Sequence, residues 1–115
     1  MPNRDADCIF CKIASGEIES EKVYEDDRVF VVRDLKPLAP VHLLIIPQEH
    51  IPTLLDVPDA NKDLLSHMLD VARQLAVKEG IAEKGFRILI NTNSWGGQVI
   101  FHLHMHVFGG KPLKG

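Results

Sequence analysis

The 115-residue chain has no apolar run approaching the roughly 20 residues that a membrane-spanning helix needs. It has no basic excess either. Its formal net charge is -3, which removes the electrostatic footprint of a protein that grips bulk nucleic acid. Residues 1–7 lack the apolar core of a secretory signal, so a cytoplasmic location is expected and this stretch is expected to fray. Cysteine is scarce. The only two, Cys8 and Cys11, stand at C-x-x-C spacing. In a reducing compartment that spacing points to metal or redox chemistry rather than a structural disulfide. No repeat, low-complexity tract or linker interrupts the sequence, so residues 1–115 read as one domain with no membrane partner. An apolar content of 45% and a charged content of 25% are ordinary for a globular chain.

Against these absences one stretch stands out: Phe101-His102-Leu103-His104-Met105-His106-Val107-Phe108 holds three of the six histidines. Strict alternation of His with apolar residues predicts a half-buried strand. Residues i, i+2 and i+4 of a strand share a face, so the three imidazoles would line up at steps of roughly 6.6 Å. Imidazole suits nucleophilic attack, proton transfer and metal ligation near neutral pH. Two readings stay open at this point. One is acyl or phosphoryl transfer through a histidine nucleophile. The other is hydrolytic zinc chemistry, because His-x-His on a strand can ligate one ion.

The rest of the chain supplies a frame. A short helix is expected over 8–14, with Asp7 as N-cap and Gly16 as stop. Val23–Glu25 and Val29–Asp34 predict a hairpin through Asp26-Asp27. Val41–Pro47 is nearly all apolar and predicts a central strand covered on both faces. Ile51–Leu55 suggests a helical turn. A long helix is expected from about Pro58-Asp59 to Gly80, because Leu64, Leu65, Met68, Leu69, Ala72, Leu75 and Ala76 form one apolar stripe. His67 falls beside that stripe and reads as a surface residue. Phe86–Asn91 predicts a further strand, followed by the glycine-rich loop Trp95-Gly96-Gly97-Gln98. The order of elements argues an α+β domain with a largely antiparallel sheet. Gly96-Gly97 beside a row of histidines suits an anion, with Asn91 as an added donor.

These motifs together resemble the histidine triad (HIT) superfamily. His102-Leu103-His104-Met105-His106-Val107-Phe108 resembles its His-φ-His-φ-His-φ-φ signature. Cys8–Ile13, the stretch from Asp34 to Ile51, and Asn91 with Gly96-Gly97-Gln98 resemble its other segments, so the likeness covers roughly residues 8–110. Length and the Gly109-Gly110 pair resemble the Hint branch of nucleoside phosphoramidate hydrolases.

The resemblance implies a five-stranded antiparallel sheet with one long and one short helix, paired in a homodimer into ten strands. It implies hydrolysis of a purine nucleoside phosphoramidate through a nucleotidyl-histidine, releasing AMP or GMP. His104 would be the nucleophile, His106 the phosphate contact and proton donor, and His42 their neighbour. Asn91, Gly97, Gln98 and Val99 would bind phosphate, although Val99 lacks the hydroxyl that many members carry there. Asp34 would hold the ribose, and Ile9, Phe10, Ile13, Val32 and Leu35 the base. A microbial subgroup implies a structural zinc on Cys8, Cys11, His50 and His102, with no metal needed for catalysis. Two alternatives remain: a purine-nucleotide-binding regulatory or scaffold protein, and a dinucleoside polyphosphate hydrolase.

Overall fold

Seven elements carry the fold in the computed structural model, which describes residues 3–115. They are α1 (Ile9–Ser15), β1 (Lys22–Glu25), β2 (Val29–Arg33), β3 (Val41–Pro47), α2 (Asp63–Lys78), β4 (Phe86–Leu89) and β5 (Met105–Gly109). The strands form one antiparallel sheet in the order β1-β2-β3-β5-β4, as expected from the α+β pattern. No helix of the described residues is long and apolar enough to cross a membrane.

Two-residue periodicity sorts the side chains onto the two faces. Val29 and Val31 of β2, Leu43 and Ile45 of β3, and Met105 and Val107 of β5 pack under α2. The helix contributes Leu64, Met68, Val71, Ala72 and Leu75 to the same core. Burying one such side chain contributes about 1.5–3 kcal/mol, so this layer supplies most of the fold's cohesion. The alternate residues, Phe30, Val32, Leu44 and Ile46, face the other way against Phe10 and Ile13 of α1. β3 is thus covered on both faces, as its apolar run predicts.

The expected strand from Phe101 to Phe108 begins only at Met105. Pairing to β3 runs from Val41↔Gly109 to Ile45↔Met105 and stops there. Beyond that point the ladder is replaced by other partners. His102 Nε2 lies 2.8 Å from the Pro47 carbonyl, and the Leu103 N–H donates to the Ile51 carbonyl at 2.7 Å. The three imidazoles therefore do not form one row along a strand face.

Helix ends also shift. α1 is capped by Cys8, whose sulfur accepts from the Cys11 N–H, rather than by Asp7. α2 starts at Asp63, after a 3-10 turn at Asp59–Asn61, and its C-cap is Glu79. The helical turn suggested near Ile51–Leu55 is a 3-10 turn at Leu54–Asp56. Residues 1 and 2 of the stretch expected to fray lie outside the described residues. Beyond them, the Asn3 carbonyl accepts from His50 N–H, and the Asp5 carbonyl accepts from Cys8 N–H.

The β1–β2 turn is fastened to α2 by one carboxylate. Asp26 Oδ1 accepts from the Arg28 and Val29 N–H groups at 2.8 Å each, and Oδ2 accepts from the Tyr24 hydroxyl at 2.7 Å. His67 Nε2 of α2 lies 2.7 Å from the same Oδ2, so this residue is a structural clamp rather than a plain surface side chain. Burial alone would push the Asp26 carboxyl up. The hydrogen bonds from Tyr24, Val29, Arg28 and His67 outweigh it and hold the carboxyl down at about 2. The folded value lies below the unfolded one, so the ionised form stabilises the fold above about pH 4, and this is lost as pH falls toward 2. Asp26→Asn is expected to lower unfolding free energy by about 1–2 kcal/mol at pH 7 and to flatten its dependence on pH between 4 and 2. Urea denaturation across that range checks it; an unaltered acid slope would refute the assignment.

Candidate active site

The face of the sheet toward α1 carries two histidines because strand register puts them there. His42 pairs with Phe108 and Leu44 with His106 across β3 and β5. Residues opposite one another share a face, so His42 and His106 become diagonal neighbours. His106 stands at one side of a cavity of about 650 Å³, a size suited to a small-molecule ligand. Ile9, Phe10 and Ile13 of α1 line it, together with Val32, Asp34, Leu35, Asn91, Gly97, Val99, His104 and His106. Leu44 forms part of the same wall. It was not expected there, although its i+2 spacing from His42 places it on that face. His42 lies behind His106, buried, and Gln98 does not line the cavity.

Hydrogen bonds assign the imidazole protons. The Leu38 N–H donates to His42 Nδ1 at 3.1 Å. An accepting nitrogen carries no proton, so the neutral His42 ring holds its proton on Nε2. That Nε2–H faces His106 Nδ1 at 2.9 Å, which leaves the His106 proton on its own Nε2. His104 is set the other way. Its Nδ1 lies 2.8 Å from the His102 carbonyl, which can only accept, so Nδ1 is protonated and Nε2 keeps its lone pair. Two rings with centroids 5.1 Å apart thus hold complementary states: a bare nitrogen on His104 and an N–H on His106. A nucleophile beside a donor is the minimum that group transfer needs.

Burial favours the neutral forms of His106 and His42. It pushes His106 down to about 4, with His104 and His42 adding to the effect and Asp34 opposing it. It also lowers His42, again against Asp34. Phe10 meets the His104 ring edge-on at 5.2 Å and fixes its plane.

The loop before the histidine segment is held by its own side chains. Gln98 Oε1 accepts from the Asn93 N–H at 2.9 Å, and its Nε2 donates to the Pro52 and Ile100 carbonyls at 2.8 and 3.1 Å. Asn91 Nδ2 donates to the Gly96 carbonyl at 2.7 Å. The expected phosphate role of Gln98 therefore finds its side chain spent on the loop. What it stabilises is strained backbone: Asn93 has φ 61°, and Gly97 a left-handed φ of 83°.

A second cluster lies at the base of α1. Cys8 Sγ is 3.3 Å from His102 Nδ1, and Cys11 Sγ is 3.3 Å from His50 Nδ1 and 3.5 Å from His102 Nδ1. All four ligand atoms lie within 4.8 Å of one another. Around a tetrahedral zinc, bonds of about 2.3 Å to sulfur and about 2.0 Å to nitrogen put S and N roughly 3.5 Å apart. The donor set fits that geometry. His102 Nε2–H donates to the Pro47 carbonyl, which aims the Nδ1 lone pair into the cluster, the usual outer support of a histidine ligand. Burial raises the Cys11 thiol; the Asp5 N–H on its sulfur opposes this, and Cys8 adds to it.

Asp34, His42 and His106 also place ligand atoms within 4.8 Å of one another. Here the fit fails. With Leu38 N–H on Nδ1, the inward nitrogen of His42 is a donor and has no lone pair for a metal.

A family model described as HIT domain matches residues 15–113. The purine nucleoside phosphoramidase of Escherichia coli (strain K12) is 50% identical over 105 residues, covering 91% of this chain and 88% of that protein. A histidine triad protein from Clostridium difficile superposes with a TM-score of 0.94 at 48% identity, covering 97% of each chain. A Zn-bound histidine triad family protein from Mycobacterium smegmatis superposes with a TM-score of 0.76 at 29% identity, covering 88% of this chain and 73% of that one.

One consequence is measurable without any substrate. In an NMR titration the His106 ring is expected to stay neutral down to about pH 4 and to protonate near that value. Because the folded value lies below the unfolded one, near 6.5, this group stabilises the fold above pH 6.5 and the contribution is lost as pH falls toward 4. A midpoint near 6.5 would show that the ring is not desolvated as described.

Proposed function

The chain belongs to the HIT domain family, and from that premise we propose that it is a purine nucleoside phosphoramidate hydrolase working through a nucleotidyl-histidine. One observation carries the reading: His104 and His106, side by side at one cavity, hold opposite tautomers fixed by backbone groups that cannot exchange roles. The 50% identity to a purine nucleoside phosphoramidase supports the reaction class.

In this reading His104 Nε2 attacks the α-phosphorus. The P–N bond breaks as the His–P bond forms, and the leaving nitrogen takes the His106 Nε2 proton and departs as the amine. Water then attacks the phosphorus, returns a proton to His106, breaks the His–P bond and releases AMP or GMP. Splitting one displacement into two is the advantage of a covalent intermediate. The base sits among Ile9, Phe10, Ile13, Val32 and Leu35, the ribose at Asp34, and the phosphate against Asn91, Gly97 and the backbone at Val99. Side chains of the chain itself carry every step. The homodimer belongs to the same reading. β1 and β4 are the sheet edges, and a ten-stranded sheet needs one of them to pair with its copy.

We assign a structural zinc to Cys8, Cys11, His50 and His102. With four protein ligands it leaves no open position for substrate, so it supplies folding free energy and no chemistry. Protein purified without chelator is expected to carry about one zinc per chain by elemental mass spectrometry. Cys11→Ser is expected to lose it and to melt well below the wild type. Zinc-free wild-type protein would refute the site.

The catalytic reading is tested with an AMP-amine phosphoramidate. His104→Ala is expected to lower turnover by at least a thousandfold while AMP affinity stays within a fewfold. Retained turnover would remove His104 as nucleophile. Wild-type protein that binds AMP but turns over neither this substrate nor dinucleoside polyphosphates would favour a binding role.

A further inference from the structure

The proton on His42 Nε2 is hydrogen-bonded to His106, and the Asp34 carboxylate lies close enough to act on it through its charge. His106 Nδ1 lies at 2.9 Å and Asp34 Oδ2 at 3.5 Å. The Leu38 N–H on Nδ1 blocks the ring from carrying its proton on the far side. The His42 side chain is 1% exposed, so water neither screens these contacts nor joins them. Asp34 is placed differently. It lines the cavity with 23% of its side chain exposed, and its Oδ1 accepts from the Lys36 N–H at 2.9 Å. One carboxylate oxygen is thus tied to backbone, while the other lies between a buried imidazole and whatever enters the cavity.

A donor that arrives from the cavity and hydrogen-bonds Asp34 draws negative charge away from His42. The Nε2 proton of His42 then leans further on His106. An imidazole whose Nδ1 accepts a stronger hydrogen bond gives up electron density, and its Nε2–H becomes a better donor. We infer that Asp34 is a positioning residue that couples ribose recognition to the donor strength of His106. The two sugar hydroxyls, by drawing charge from the carboxylate, strengthen the hydrogen bond from His42 to His106. No covalent bond changes in this step; the proton stays on His42 Nε2 and its hydrogen bond to His106 Nδ1 tightens. The inference rests on the proposed roles of His104, His106 and Asp34. It adds to them that the sugar acts on the rate of the chemical step as well as on binding.

Two AMP-amine phosphoramidates that differ only in the sugar, ribose against dideoxyribose, separate the two effects. In the wild type, loss of the diol is expected to lower kcat about tenfold and also to raise KM. In His42→Ala there is no such hydrogen bond to strengthen. The kcat ratio should fall to near one while the KM effect persists. Equal kcat ratios in the two proteins, or a wild-type effect confined to KM, would overturn the coupling. His104→Ala in the same assay keeps the questions apart, since turnover surviving there overturns the nucleophile assignment instead. A readout on wild-type protein alone is independent of how the variant folds: the exchangeable ring N–H resonance of His42. AMP is expected to move it further downfield than dideoxy-AMP does, and equal displacement by both nucleotides would overturn the inference.

Discussion

His102 ties three parts of the molecule together with three different atoms. Its carbonyl accepts from His104 Nδ1 and so decides which nitrogen of the neighbouring ring is bare. Its Nε2–H holds the carbonyl of Pro47 at the end of the central strand. Its Nδ1 faces the two thiols of α1. The ring is fully buried, and burial pushes it down to about 4, so it serves as a neutral hydrogen-bonding joint. Without that joint, α1 would lose its anchor to the sheet, and with it the positions of Phe10 and Ile13 at the cavity wall. The lone pair of His104 would lose its definition at the same time.

Three histidines at identical spacing therefore do three different things, and their surroundings rather than their chemistry divide the work. His102 is enclosed and holds structure. His104 stands at the cavity with its inner nitrogen donated to backbone. His106, the one of the three inside the ladder, accepts a hydrogen bond from His42 behind it. Charge plays little part at His102 and His106, because desolvation keeps those two rings neutral. The roles are set by backbone groups that cannot invert: a carbonyl that only accepts and an N–H that only donates.

That dependence explains what was legible in the sequence. The near-continuous apolar run of Val41–Pro47 and the stripe from Leu64 to Ala76 specify a sheet covered on both faces with one helix on a face, because side-chain pattern and burial are linked directly. The family signature picks out the histidines. It does not say where β5 begins. Alternation continues through His102 and His104, but the partner strand runs out of ladder at Met105 and side-chain bonds take over. The Leu38 N–H that fixes His42 leaves no trace in residue identity, since any residue other than proline offers it. Gln98 was expected at the phosphate because the family resemblance implies it. Only the folded loop reveals that its amide oxygen holds the Asn93 N–H while its amide nitrogen holds the Pro52 and Ile100 carbonyls. His67 read as surface because it falls beside the apolar stripe of α2, while its partner Asp26 lies 41 residues away.

The two clusters of metal-ligand residues carry the same lesson further. Each gathers three or four donor groups within 4.8 Å, and composition alone treats them alike. In one, the outer nitrogen of His102 is satisfied by a carbonyl, so the inner nitrogen is a lone pair facing two sulfurs. In the other, the outer nitrogen of His42 is satisfied by an N–H, so the inner nitrogen is a donor facing an imidazole and a carboxylate. A single reversal of hydrogen-bond direction at the far side of a ring separates a site that suits a cation from one that donates a hydrogen bond. Both arrangements depend on the same pairing of β3 with β5, since that ladder carries His42 and His106 and ends beside His102. A change in its register would convert neither site into the other; it would remove both.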